Sequence, residues 1–190
     1  MIYLLLLSLI ILVPFFIKKK AKNKAKIQIE IIPSNQHYKN VRAVLTGEEW
    51  TRITKLHSQE AKDCCEICGK NAKLECHEIW SFNESSKVQK LEGMTAICHE
   101  CHGGIHYGHT IKHKGKSDQV NITHNIMKVN NWTSEDLQAN YLTALDVAES
   151  KSNHHYTLDL TLLNQSKYRR LGLRKFSEDE TKNCNKKVLF

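Results

Sequence analysis

"AICHECHGGIHYGH" (residues 96–109) packs two cysteines and four histidines into fourteen positions. A Cys-x-x-Cys, Cys98 and Cys101, is followed at once by His102 and then, four residues on, by His106. This spacing poses a question: does the stretch serve one structural metal ion, or one structural ion plus a second that does chemistry? Upstream, Cys65 and Cys68 form another Cys-x-x-Cys on the tight turn of "CEICGK". Two such pairs have the spacing of a tetrahedral zinc site with four thiolate ligands. The interval between them is longer than in a simple zinc ribbon, so it must contain structure of its own. Cys64, Cys76 and Cys184 fall outside the pattern. An odd total of seven cysteines, four of them in matched pairs, fits reduced thiols better than a disulfide framework.

A four-cysteine site is closed, which leaves the histidines unexplained. His102 and His106 present their imidazoles on one face if a helix starts at Cys101 or His102. A third ligand is offered by His77 on the apolar run "LECHEIW". Three protein ligands with positions left open make a catalytic rather than a structural arrangement. His99, His109, His113, His124, His154 and His155 are read as ordinary hydrogen-bonded surface or core residues. "HEIWS" (77–81) begins like the zincin motif H-E-x-x-H, but Ser81 stands at the second histidine position, which leaves a metalloprotease reading with little support.

The order of these residues, a CxxC, an apolar strand carrying a histidine, a polar loop, then CxxCHxxxH, resembles the HNH endonuclease family. The resemblance runs from Cys65 to His106 and is closest over "AICHECHGGIH"; "NVRAVLTGEEWTRI" and "HHYTLDLTLL" are softer matches to bacterial proteins of this type. It implies a ββα-metal fold, in which a hairpin and a helix grip a divalent ion that contacts a scissile phosphate. His77, His102 and His106 would then hold the catalytic ion, Mg2+, Mn2+ or Zn2+. Cys65, Cys68, Cys98 and Cys101 would be a structural Zn2+ knuckle bracing the motif. Two positions depart from the family pattern. The general base, a histidine in many members, is Glu78 here, a weaker base near neutrality unless burial raises its pKa. The family's central Asn corresponds to Gly93 in "KLEGMTAIC". Shifting the match by one position would instead make His77 the base and Glu75 a ligand.

The rest of the chain supplies the setting. "MIYLLLLSLIILVPFFI" (1–17) is apolar apart from Tyr3, Ser8 and Pro14, and it lacks the basic start and small-residue cleavage site of a secretory signal. It reads as an uncleaved transmembrane anchor, and the lysines from Lys18 to Lys26 behind it predict that the C-terminal bulk faces the cytoplasm. Residues 18–32 read as a basic tether with some strand character in "IQIEII", and residues 33–165 as the HNH-like domain. Within it, Thr46 and Glu49 form a capping box for a helix whose Trp50, Ile53 and Leu56 or His57 share one face. "ITHNIMKVN" has helical character. A second capped helix starts at Thr133 or Ser134 and carries a stripe of Leu137, Tyr141, Leu145 and Ala148. "YTLDLTLL" alternates as a strand does, and residues 166–190 read as a basic, flexible tail.

The expected fold class is therefore α+β: an HNH-like ββα-metal core with flanking helices, preceded by one transmembrane helix. The net charge of +8 suits an anionic partner, although much of the excess lies in the lysine run. Two functions follow as expectations. One is a metal-dependent endonuclease that hydrolyses DNA phosphodiester bonds, with Glu78 or His77 activating water. Lys87, Lys90, Lys112, Lys114 and Lys116 would be available to phosphates. The other is a noncatalytic zinc-braced module that binds nucleic acid or a partner at the membrane.

Overall fold

The computed structural model describes residues 26–184. At its centre is a hairpin of two long antiparallel strands, β1 (Leu74–Asn83) and β2 (Val88–Cys98), joined by the turn 84–87. Asn83 starts that turn by accepting the N–H groups of Ser85 and Ser86 on its side-chain oxygen, each at 2.9 Å. A short third strand, β3 (Thr157–Asp159), lies parallel to β2 along Val88–Lys90, giving the order β1-β2-β3. The register slips between Ile79 and Trp80, because Ile79 pairs with Gly93 and Trp80 with Leu91. Glu92 is left as the extra residue of a bulge, and the parity of β2 inverts across it. Leu91 and Met94 accordingly enter the same core cluster, although they stand three positions apart and regular alternation would send them to opposite faces.

Two clusters of buried side chains cover the hairpin. The first gathers Val41 and Leu45 with Ile53, Leu91, Met94 and Leu158, and is closed by Leu163, Tyr168, Leu173 and Phe176. It is served by α1 (Val41–Val44) and α2 (Gly47–Glu60). The capping box of Thr46 and Glu49 is formed, Ile53 and His57 are buried, and Trp50 and Leu56 pack against the cluster. The second cluster holds Ile27, Ile97, Ile105, Ile122, Ile126 and Leu137 around the knuckle cysteines. Its helices are α3 (His99–Ile105), α4 (Tyr107–His113), α5 (Lys116–Asn130) and α6 (Ser134–Ser152). Thr133 caps α6 reciprocally with Asp136. Of the α6 stripe, Leu137 and Ala148 are buried, whereas Leu145 stays exposed.

The double glycine of "HGGIH" is explained by packing. A Cβ on Gly104 would stand 2.8 Å from Ile126 Cγ1 and 3.3 Å from Ile27 Cγ2. Both isoleucines are fully buried, so α3 can lie this close to α5 only without side chains on that face.

Three expectations are corrected. The fold class is α+β, but among the described residues no helix is long and apolar enough to cross a membrane. The longest, α6, carries Glu135, Asp136, Asp146, Glu149 and Lys151. Residues 1–17, on which the transmembrane helix rested, lie outside the described residues, and a single-pass membrane localisation has no support in the fold. The tail is not free either. Residues 166–184 carry α7 (Ser166–Arg169), bury Tyr168, Leu173, Phe176 and Glu180, and tie Glu180 N–H to Leu158 O at 2.7 Å. Nor is the expected tether loose from Lys26 onward, since Ile27 is buried in the second cluster.

Candidate metal centres

Both metal-ligand groups are built on the junction between β2 and α3. Cys98 is the N-cap of α3, and Cys101 follows in its first turn. Opposite them, the turn bearing Cys65 and Cys68 is closed by Cys65 N–H to Lys70 O at 2.9 Å and Gly69 N–H to Cys65 O at 2.8 Å. Gly69 takes a φ of +74°, the left-handed conformation that favours glycine. Glu66 pins the turn to β2 by accepting Ala96 N–H at 2.6 Å and the Thr95 hydroxyl at 2.9 Å. The four sulfurs all lie within 4.8 Å of one another.

The geometry and chemistry of this group fit zinc. Cys68 Sγ and Cys98 Sγ are 3.7 Å apart, against about 3.8 Å for two ligands on a tetrahedral ion with Zn–S bonds of about 2.3 Å. Burial raises the pKa of the Cys65 thiol, but backbone N–H groups of Cys68, Cys98 and Ile67 directed at its sulfur outweigh this and bring it to about 7. Cys98 is pushed up to about 12, chiefly by burial, and Cys101 is raised for the same reason. Asn125 donates its side-chain amide to Cys101 Sγ at 3.4 Å. Buried sulfurs with N–H donors aimed at them suit thiolates neutralised by a divalent cation.

The second group is His77, His102 and His106, whose donor atoms also lie within 4.8 Å of one another. The ring centroids form a nearly regular triangle with sides of 5.4, 5.0 and 4.9 Å, each pair of rings edge-on at 63–69°. Three imidazoles rarely converge this way for packing alone, because each has a polar nitrogen to satisfy. The α-helical spacing accounts for His102 and His106, since His106 is the C-cap of α3 and its N–H still bonds His102 O at 3.0 Å, one helical turn back. His77 comes from β1, the residue of "LECHEIW" that is buried. Burial, reinforced by the nearby His77 and His102, lowers the pKa of His106 to about 3 and keeps its ring neutral with a lone pair to give.

Glu75 orients the cluster from outside. Its two oxygens take His102 Nδ1 and, at 2.9 Å, His99 Nδ1. The bond to His102, with that to His99 behind it, holds the Glu75 carboxyl at about 2, against the opposing effect of burial. A carboxylate on Nδ1 favours the proton there and leaves Nε2 of His102 with a free lone pair, the arrangement in which a histidine could serve as a metal ligand. Glu75 is thus neither a direct ligand nor partnered by a base at His77, the roles the shifted match would give them. His99, read as an ordinary surface histidine, is part of the same hydrogen-bonded unit.

Glu78 is the main correction to the expected catalytic residues. Strand alternation turns it away from its neighbour His77, and its Oε1 accepts Val41 N–H at 3.0 Å at the start of α1. Burial raises its carboxyl to about 7. That value would suit a base, but the side chain does not face the histidines. Gly93, the position corresponding to the family's Asn, pairs with Ile79 beside the bulge. Two further residues were missed. Asn125 bonds a knuckle sulfur, and Glu30 Oε2 stands 3.6 Å from His77 Nε2. The only trace of Glu30 in the sequence is a single carboxylate within the isoleucines of "IQIEII".

The chain matches no family model, and no curated protein and no solved structure matches it. The site is therefore interpreted from its own chemistry.

Proposed function

We propose that this chain is a metal-dependent phosphodiesterase that cleaves DNA at an HNH-like ββα site. One observation carries the reading: three imidazoles, one from a hairpin strand, one from the helix that follows and one from that helix's C-cap, converge beside a separate four-cysteine group. The knuckle holds Zn2+ and fixes the start of α3. His77, His102 and His106 hold a divalent ion such as Mg2+, Mn2+ or Zn2+. That ion, when bound, polarises the phosphoryl group and stabilises the leaving oxygen. Glu75 keeps His102 in the tautomer with Nε2 free, and burial keeps His106 unprotonated. Lys112, Lys114 and Lys116, around the end of α4, are available to the phosphates flanking the site without reading bases.

A second reading, a noncatalytic zinc-braced nucleic-acid-binding or interaction module, is favoured by one fact. Glu78 occupies the base position yet is bonded to Val41 N–H. The two readings part in a single experiment. The full chain is incubated with supercoiled plasmid and Mg2+, Mn2+ or Zn2+, beside His102→Ala and Glu78→Gln. The nuclease reading expects nicking by the wild type and by Glu78→Gln, and none by His102→Ala. Plasmid binding without cleavage under every ion leaves the module standing and removes the nuclease.

A further inference from the structure

α3 is only seven residues long and contains Gly103 and Gly104, so it has little tendency to stay helical by itself. Its N-terminal end carries Cys98 as N-cap and Cys101, both in the four-cysteine group. Its C-terminal end stops at His106, whose φ of −89° and ψ of 44° leave the helical region before α4 begins at Tyr107. The last carbonyls of a helix need donors from elsewhere. His102 O takes His106 N–H at 3.0 Å and Gly103 O takes the Thr110 hydroxyl at 2.8 Å, both from the α3–α4 stretch itself. Ile105 O takes Glu30 N–H at 2.8 Å, a donor from the segment that precedes the domain.

Residues 26–31 form a strap across the break at His106. Asn130, the last residue of α5, accepts the N–H groups of Lys26 and Ile27 on its side-chain oxygen, both at 2.9 Å, and donates to Ile27 O at 2.8 Å. Ile27 is fully buried, and a Cβ on Gly104 would stand 3.3 Å from its Cγ2. A Cβ on Gly108 would stand 2.5 Å from Ile31 Cδ1. Gly104 and Gly108 thus flank His106, and the strap seats one isoleucine against each. Between the two isoleucines, Glu30 N–H bonds the carbonyl immediately before His106. One short segment, fastened to α5 by Asn130, therefore holds the chain just before and just after this histidine.

We propose that residues 26–31, fastened by Asn130, are a positioning clasp for His106, and that docking of this strap sets the affinity of the histidine centre for a divalent ion. The inference rests on the reading that His77, His102 and His106 hold such an ion, and not on nuclease activity. The strap acts through its backbone and its two isoleucines, without touching the ion. It fixes the turn from α3 into α4 and so the direction from which the His106 imidazole meets the other two. A ligand set binds tightly only when its surroundings keep each member within about 0.5 Å of its place. The coupling is reciprocal: if docking strengthens the ion, the bound ion secures the strap by the same factor.

The test uses the full chain with zinc retained at the cysteines and Co2+ titrated into the histidine centre. Glu30→Pro removes the N–H that reaches Ile105 O, whereas Glu30→Ala keeps it. Asn130→Ala removes all three bonds that fasten the strap. Glu30→Pro and Asn130→Ala are each expected to weaken Co2+ binding by at least about fivefold, the lower end of coupling between linked sites. Glu30→Ala should bind Co2+ as the wild type does, and the cysteine-bound zinc should stay at one per chain throughout. In the wild type, hydrogen exchange at the Ile27 and Glu30 amides should slow by the same factor when Co2+ fills the centre. A strap that served stability alone would show neither effect. Unchanged Co2+ affinity in Glu30→Pro, or strap exchange indifferent to Co2+, would overturn the proposal. Equal weakening by Glu30→Ala would overturn it too, because the side chain rather than the backbone would then be acting. If His102→Ala binds Co2+ as the wild type does, the three-histidine reading itself has failed, a result separate from failure at the strap.

Discussion

Gly104→Ala tests whether the approach of α3 to α5 sets the metal centres. The added methyl would stand 2.8 Å from Ile126 Cγ1 and 3.3 Å from Ile27 Cγ2, inside van der Waals contact. The first contact is with a carbon near the backbone rather than with a flexible tip, and neither isoleucine has open space to move into. Overpacking of this kind costs about 1–3 kcal/mol, and such pinned neighbours place it in the upper half of that range. Replacing glycine within a helix returns about 1 kcal/mol. The net loss is about 1–2 kcal/mol, which for a protein of this size lowers Tm by about 2–8 °C. Because α3 carries Cys101 and His102 and ends on His106 as its C-cap, any displacement that relieves the clash also moves these candidate ligands. Thermal unfolding of the full chain with zinc at the cysteines reads the first effect, and Co2+ titration reads the second. Gly47→Ala, at the first position of α2, is the internal control, since a Cβ there meets nothing within 4 Å. A Tm for Gly104→Ala at or above that of the wild type would refute the packing argument.

Three more outcomes are expected. Glu75→Gln removes the carboxylate on Nδ1 of both His99 and His102, and should weaken the ion at the histidine centre by about 10–100-fold while the cysteine-bound zinc is unaffected in metal analysis. Cys98→Ser breaks the knuckle at the N-cap of α3, and should lose the zinc together with most of the cooperative unfolding transition seen by circular dichroism. Glu180, held at about 2 chiefly by its hydrogen bonds to Arg174 against some burial, should stabilise the fold above pH 4.5 and lose that contribution as pH falls toward 2. With Arg174 about half exposed, Glu180→Gln should cost about 1–3 kcal/mol at pH 7 and nothing near pH 2, measured by urea unfolding across that range.

What could be read from the sequence was local. The capping boxes at Thr46 and Thr133 need only residues three apart, and the chain forms both. The cysteine pairs and His102 with His106 are likewise short-range patterns, and His77 was recoverable because a histidine on an apolar strand needs a polar partner. Glu78 was misassigned by giving more weight to position in a family motif than to strand alternation, which sends neighbours to opposite faces. Glu30 could not be found from spacing, because its partners Ile105 and His77 lie far along the chain. The segment 166–184 has no period because it is held by separated anchors, Tyr168, Leu173, Phe176 and the buried Glu180, rather than by one amphipathic face.

The central claim is that one short helix, α3, serves two separate metal ions, one structural and one at a histidine centre. Counting ions per chain tests it most directly. The full chain, metal-loaded, freed of excess ion and submitted to elemental analysis, should carry two ions in the wild type and one, a zinc, in His106→Ala. A wild type that never exceeds one ion, or a His106→Ala protein that loses its zinc as well, would contradict the account.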